Sequence, residues 1–174
     1  GKKLLFMGNE FAQFIEWNFA QELDWFLLDY DSHRSMQTYL KKLNGFYQKH
    51  RALYEIEDSW DGFDWLNVND SDNSVIAFMR LSGPWRGKVQ RIVSVTNFTP
   101  VVHYDYKIAM PQTGVLREIL NSDDPAFGGS GVKNLPEIRV EANPFNGKDA
   151  SAQITLPPLA TVYFMFDADQ TDRK

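Results

Sequence analysis

The feature that most constrains this chain is a change of rhythm near residue 57. From Asp31 to Tyr54 the apolar side chains Met36, Tyr39, Leu40, Leu43, Phe46, Tyr47, His50, Leu53 and Tyr54 recur at three- and four-residue steps. That spacing lines one face of an α-helix, so a helix is predicted over about 31–55, with Asp31 or Ser32 as its cap. After Glu57 the period falls to two, and strands are predicted at 63–68, 74–81, 88–97, 102–110, 115–120, 150–156 and 160–166. Turn clusters at 69–73, Ser82-Gly83-Pro84 and Gly128-Gly129-Ser130-Gly131 punctuate them. A run of short strands at near-regular spacing predicts a mainly β fold, a β-sandwich over 58–174. Strand 102–110 alternates most clearly, and Val102, Tyr104, Tyr106 and Ile108 are expected to face inward. Gly45, inside the helix, would mark close approach to a neighbour.

Ahead of the helix the pattern is different. Leu4-Leu5-Phe6-Met7, stopped by Gly8, is the short apolar run of a strand covered on both faces. Residues 8–30 then follow neither period. Eight of the chain's 25 aromatics fall within its first 30 residues, in a long irregular stretch of the kind that tends to carry function. Glu10, Glu16, Glu22 and Asp24 stand among Trp17, Phe19 and Trp25. Carboxylates accept hydroxyl hydrogen bonds while flat rings cover the apolar faces of pyranoses, so the mixture suits sugar recognition. Core aromatics beside solvated acids would leave the same pattern, and the residues alone leave both readings open. Trp60, Trp65 and Trp85 read either as core aromatics, the usual role of a strand ring, or as a second stacking platform in the β-region, with Trp85 expected to be the most exposed.

Other chemistries fit poorly. Lys+Arg 18 against Asp+Glu 23 gives a net charge of 18 − 23 = −5, and no basic cluster suggests a nucleic-acid partner. There is no cysteine, which removes disulfides, thiolate metal sites and Cys nucleophiles. No apolar run approaches the ~20 residues of a membrane span. Asp70-x-Asp72-x-Ser74 starts like a calcium loop, then has Val75 where glycine is needed and Leu81 where glutamate is needed. The glycine loop at 128–131 matches neither a nucleophile elbow nor a dinucleotide fingerprint. His33, His50 and His103 are isolated, and His50 reads as the edge of the helix stripe. None of the three has the H-x-x-x-H spacing of a metal site. With no secretory signal, the two sequon matches are chance hits and a cytoplasmic location is expected. The chain opens on a strand-type run without an initiator Met, so an excised piece of a longer protein is expected, with 167–174 as its polar tail.

Leu4-Leu5-Phe6-Met7-Gly8-Asn9-Glu10-Phe11, Glu16-Trp17-Asn18 and Leu23-Asp24-Trp25 closely resemble bacterial glycogen branching enzymes, the 1,4-α-glucan branching enzymes of the α-amylase superfamily. Asn97-Phe98-Thr99-Pro100, Arg117-Glu118-Ile119-Leu120-Asn121-Ser122-Asp123, the glycine loop and Leu156-Pro157-Pro158-Leu159-Ala160-Thr161 extend the resemblance, in the family's order, over nearly the whole chain. The resemblance implies that residues 1–57 end a (β/α)8 catalytic barrel (last strand, long loop, last helix) and that 58–174 form the superfamily's C-terminal all-β domain. It implies an α-glucan substrate, with Glu10 and Trp17, then Glu16 and Trp25, as substrate-side residues. The family's catalytic carboxylates lie on earlier barrel strands, so none is assigned here. The apolar N-terminal run is expected to stay exposed or to mediate self-association, since the barrel that would cover it is not in the chain. The rival readings are a non-catalytic glucan-binding module and a debranching or hydrolytic member of the superfamily.

Overall fold

The computed structural model describes residues 3–170, and the last four residues of the predicted tail lie outside them. The helical stripe folds as α1 (Asp31–Lys49) and the period-two region as eight strands. These are β1 (Phe63–Asp70), β2 (Val75–Leu81), β3 (Arg91–Asn97), β4 (His103–Met110), β5 (Gly114–Asn121), β6 (Ile138–Val140), β7 (Ala150–Leu156) and β8 (Thr161–Ala168). Six form an antiparallel sheet in the order β1-β2-β3-β8-β5-β6, and β4 pairs with β7 in a second, two-stranded sheet. The predicted antiparallel sandwich is present. β6 escapes the sequence reading because three residues at a sheet edge carry too little alternation to register.

The core lies between the sheets. Val93, Val95, Leu116, Val162, Phe164 and Phe166 from the large sheet meet Ile108, Met110, Ile154 and Leu156 from the small one. Each such large apolar side chain contributes about 1.5–3 kcal/mol when fully buried. The opposite face of the large sheet is covered too. Phe46 and Leu43 of α1 pack on Ile92, Leu120, Tyr163 and Met165, so β3 and β8 are buried on both faces at their centre. That is why Ile92-Val93-Ser94-Val95 and Val162-Tyr163-Phe164-Met165-Phe166 read as nearly continuous hydrophobic runs. Burial pushes the Tyr163 hydroxyl well above the ordinary phenol value, with Tyr39 of α1 adding to the shift and Ser94 opposing it.

Five local expectations are corrected. Leu4–Met7 forms no strand. It is exposed (Leu4 93 %, Met7 51 %), because a strand needs a neighbour's backbone and none lies alongside it among the described residues. The helix stops at Lys49 rather than near 55. His50 adopts extended backbone, and Arg51–Leu53 continue as a short 3-10 turn. Its N-cap position is Tyr30, without a side-chain cap bond, while Asp31 pairs instead with Arg34. Gly45 approaches nothing, since a Cβ built there would meet no atom within 4 Å. Tyr104 faces solvent (71 % exposed). Between His103 and Tyr106 the pairing with β7 slips by one residue, and Asp105 takes a left-handed φ of 52°. A bulge of this kind inverts the alternation, so Tyr106 and Ile108 point inward but Tyr104 does not.

Two of the sequence blocks form polar knots at turns. Asn97, 1 % exposed, donates through Nδ2 to the Val101 and Pro157 carbonyls (2.8 and 2.9 Å) and accepts at Oδ1 from Thr99 N–H and Oγ1. Buried Asp123 accepts from Ser130 N–H (2.8 Å), Ser130 Oγ (2.7 Å) and Val132 N–H (3.0 Å), so the glycine loop folds over its carboxylate. Gly129 is required there, because a Cβ would lie 2.1 Å from the Asp123 carbonyl oxygen.

Candidate functional site

The irregular segment before α1 is shaped by its polar residues and by one positive-φ glycine. Gly8 (φ 91°) turns the chain into a 3-10 turn at Asn9–Phe11, and Ala12 (φ 58°) turns it out again. Glu10 sits on that turn, its Oε2 accepting from the Gly8 N–H at 2.9 Å. One carboxylate oxygen is thus committed to loop backbone, which leaves Oε1 for other partners.

Phe11, fully buried, roots the turn, and Trp25 lies against its ring at 5.1 Å between centroids. Gln13 spans the segment. Its Oε1 accepts from Asp24 N–H (2.8 Å) and its Nε2 donates to the Ile15 carbonyl (2.9 Å). A second 3-10 turn, Trp25–Asp29, buries Leu27 and leads into α1. The structure therefore gathers Glu10 and Trp25 around Phe11. Trp17 stands apart from that group, its ring edge-on to Phe6 at 6.2 Å, and Glu16 is exposed.

A broad apolar surface surrounds these residues. Leu4, Phe6, Phe14, Phe19 and Phe26 are exposed by 93, 44, 81, 87 and 60 %. This is the exposed N-terminal patch expected from the sequence. Sequence reasoning missed the two side chains that hold the segment in place, Gln13 and His33. Neither belongs to a motif, and an isolated polar residue carries no signal of its partner.

A second aromatic surface lies on the β-region. Trp60 (78 % exposed) and Trp65 (40 %) flank Phe63, which stacks on Phe78 at 5.3 Å and 20°. With Glu57, Asp58, Ser59 and Arg80, the rings of Trp60, Phe63 and Trp65 line an open cleft of about 370 Å³. Lys3 and Tyr47 hydrogen-bond to Glu57 and hold its carboxyl below the ordinary value against the opposing effect of burial, so it stays ionised near neutrality. Trp85 is 62 % exposed and takes the Arg51 and Arg86 guanidinium groups against its ring, so Trp60 is the more exposed. The histidines are structural in their contacts. His50 packs against Phe46 with the rings tilted, 4.4 Å between centroids, and pairs with Gln90, and His103 pairs with Thr99. No described helix is long and apolar enough to cross a membrane.

The architecture is an antiparallel β-sandwich carrying one helix, with aromatic and acidic residues displayed on the irregular backbone ahead of it. Residues 65–167 match the family described as the alpha amylase C-terminal all-beta domain, and the chain belongs to that family. Among individual proteins it is 46 % identical over 164 residues to the 1,4-alpha-glucan branching enzyme GlgB of Halothermothrix orenii, covering 94 % of this chain and 26 % of that protein. The GlgB of Aquifex aeolicus is 44 % identical over 163 residues (94 % and 25 %). That of Shewanella frigidimarina is 42 % identical over 173 residues (99 % and 23 %). The chain spans about a quarter of the length of these curated relatives.

Proposed function

We propose that this chain is the C-terminal part of a cytoplasmic 1,4-α-glucan branching enzyme, a glycosyltransferase of glycogen biosynthesis. The observation that carries the reading is 42–46 % identity to proteins of that name across more than nine-tenths of the chain. Residues 1–57 are then the last strand, loop and helix of a (β/α)8 barrel, and 58–174 the all-β domain. The bare apolar run Leu4–Met7 supports this division, since those four side chains need a covering that the chain itself does not supply.

The reaction is a double displacement. An aspartate attacks the anomeric carbon of a 1,4-linkage, a general acid protonates the departing oxygen, and a glycosyl-enzyme ester forms. The 6-hydroxyl of another glucan chain then displaces the aspartate, giving up its proton to the same residue, now acting as base. Those carboxylates belong to the remaining three-quarters of the protein, and no organic cofactor takes part.

The work of this chain is at the rim. Loops that follow barrel strands build the active-site face, which puts residues after Met7 on the substrate side. Glu10 accepts a sugar hydroxyl at Oε1 while Gly8 holds Oε2, Trp17 walls the cleft, and Glu16 and Trp25 stand beside them. In the full-length enzyme Glu10→Gln and Trp17→Ala are each expected to reduce branching by about tenfold, about 1.4 kcal/mol of transition-state stabilisation, at unchanged Tm. Activity that falls only with the amount of folded protein would refute these roles. Counting new α-1,6 linkages against new reducing ends separates branching from hydrolysis.

A second glucan contact is favoured by the exposed Trp60 and Trp65 beside the acidic, Arg80-bearing cleft. Retardation of this chain in a glycogen-containing gel, lost in Trp60→Ala/Trp65→Ala, is the expected result. Equal mobility with and without glycogen would remove it.

A further inference from the structure

His33 is a buried polar residue that the proposed reaction does not use. It sits in the first turn of α1, 8 % exposed, with Nδ1 2.7 Å from the Phe11 carbonyl oxygen. A carbonyl only accepts, so Nδ1 carries the proton. The ring is fixed by aromatic neighbours, Phe14 edge-on at 5.1 Å and Tyr30 at 6.4 Å.

The backbone hydrogen bonds of the 8–13 turn are local. Asn9 N–H reaches Phe6, Phe11 and Gln13 N–H reach Gly8, and Ala12 N–H reaches Asn9. Those local bonds do not set where the turn sits on the helix, and so short a turn is not stable by itself. That placement rests on the burial of Phe11, on Gln13 reaching Asp24 N–H, and on the bond from His33. Among the described residues the last is the one hydrogen bond that ties the turn to α1, whose own position is set by packing on the large sheet.

We propose that His33 is a positioning residue for substrate handling: it pins the Asn9–Phe11 turn to α1 through the Phe11 carbonyl and so sets where Glu10 presents its carboxylate to the glucan. The inference rests on the proposed placement of Glu10 on the substrate side.

The test uses the full-length enzyme with His33→Leu, which keeps the bulk and loses the donor, and His33→Asn, whose amide nitrogen reaches the position of Nδ1. Hydrogen exchange of a peptide covering residues 8–13 is read beside branching kcat and KM for a linear glucan. In His33→Leu, exchange of these amides is expected to rise about tenfold and kcat to fall about tenfold, with Tm lowered by no more than a few degrees, the cost of one lost hydrogen bond. His33→Asn is expected to restore both to within about threefold of the parent. Unchanged exchange or kcat in His33→Leu, or His33→Asn no better than His33→Leu, overturns the inference. Glu10→Gln separates the two failures. If it slows branching while His33→Leu does not, only the pin is wrong; if it too is silent, the substrate-side placement of the turn falls.

Discussion

Removing one oxygen tests whether the two sheets are clamped by a polar network or by apolar packing alone. Tyr106 of β4 donates to Asp70 Oδ2 of β1 at 2.5 Å and accepts from Asn67 Nδ2 at 2.5 Å. Asn73 Nδ2 holds both Asp70 oxygens at 3.0 Å, and Asn146 Nδ2 donates to Asn67 Oδ1 at 3.2 Å. Tyr106→Phe keeps the ring that packs on the core but takes away the hydroxyl between Asp70 and Asn67. A hydrogen bond to a charged group contributes about 1.5–3 kcal/mol, so the substitution is expected to cost about 2 kcal/mol at pH 7. For a chain of this size that is a fall in Tm of about 4–8 °C. Burial pushes Asp70 upward, but hydrogen bonds from Tyr106, Asn73 and Asn67 outweigh it and leave the carboxyl below its ordinary 3.8. A group whose folded pKa is depressed stabilises the fold above the unfolded value, and that stability is lost as pH falls through the folded one. The penalty of Tyr106→Phe should therefore be full at pH 7 and shrink at pH values below about 4, as Asp70 is protonated in both proteins. Urea unfolding of the two proteins followed by circular dichroism at pH 7 and pH 3 reads both effects. Equal midpoints at pH 7, or a penalty of the same size at pH 3, would refute the argument.

Gly45→Ala in α1 meets no atom within 4 Å and is expected to stabilise the chain by about 0.5–1 kcal/mol, seen as a higher urea midpoint. Gly129→Ala drives a Cβ into the Asp123 backbone and should lower Tm sharply, whereas Gly147→Ala, strained only by its φ of 78°, should lower it far less. Phe46→Ala opens the contact between α1 and the large sheet and is expected to cost about 3–5 kcal/mol, read as an earlier thermal transition.

The sandwich was legible in the sequence because its strands obey period two against a one-sided core, and α1 because its stripe is long. Tyr104 faces solvent against its alternation for a physical reason: a bulge at Asp105 changes the phase of a strand without changing its composition. Leu4–Met7 has the apolar pattern of a strand and forms none here, since a strand is a property of two segments side by side and the described residues supply no second one. The irregular segment was legible only as unusual. Its carboxylates and aromatics could be counted, but Glu10 facing Gly8, Gln13 reaching Asp24 and His33 reaching Phe11 depend on backbone turns that no periodicity encodes.

The blocks that make the family resemblance specific are largely the ones with the least chemical reach. Asn97 and Asp123 each satisfy several buried partners, and Gly129 fits where no side chain would. Few residues can replace a buried asparagine holding two carbonyls and two donors, because any replacement strands a polar group without water. Those positions report on fold, and a protein could keep all of them and lose its reaction. Glu10 is different. One of its oxygens serves the loop, a duty that glutamine also fulfils, since its carbonyl oxygen accepts from Gly8 as well as a carboxylate oxygen does. A fold requirement alone would therefore tolerate Glu10→Gln, and any rate lost through that change belongs to the second oxygen, where glutamine puts an uncharged N–H donor in place of a charged acceptor.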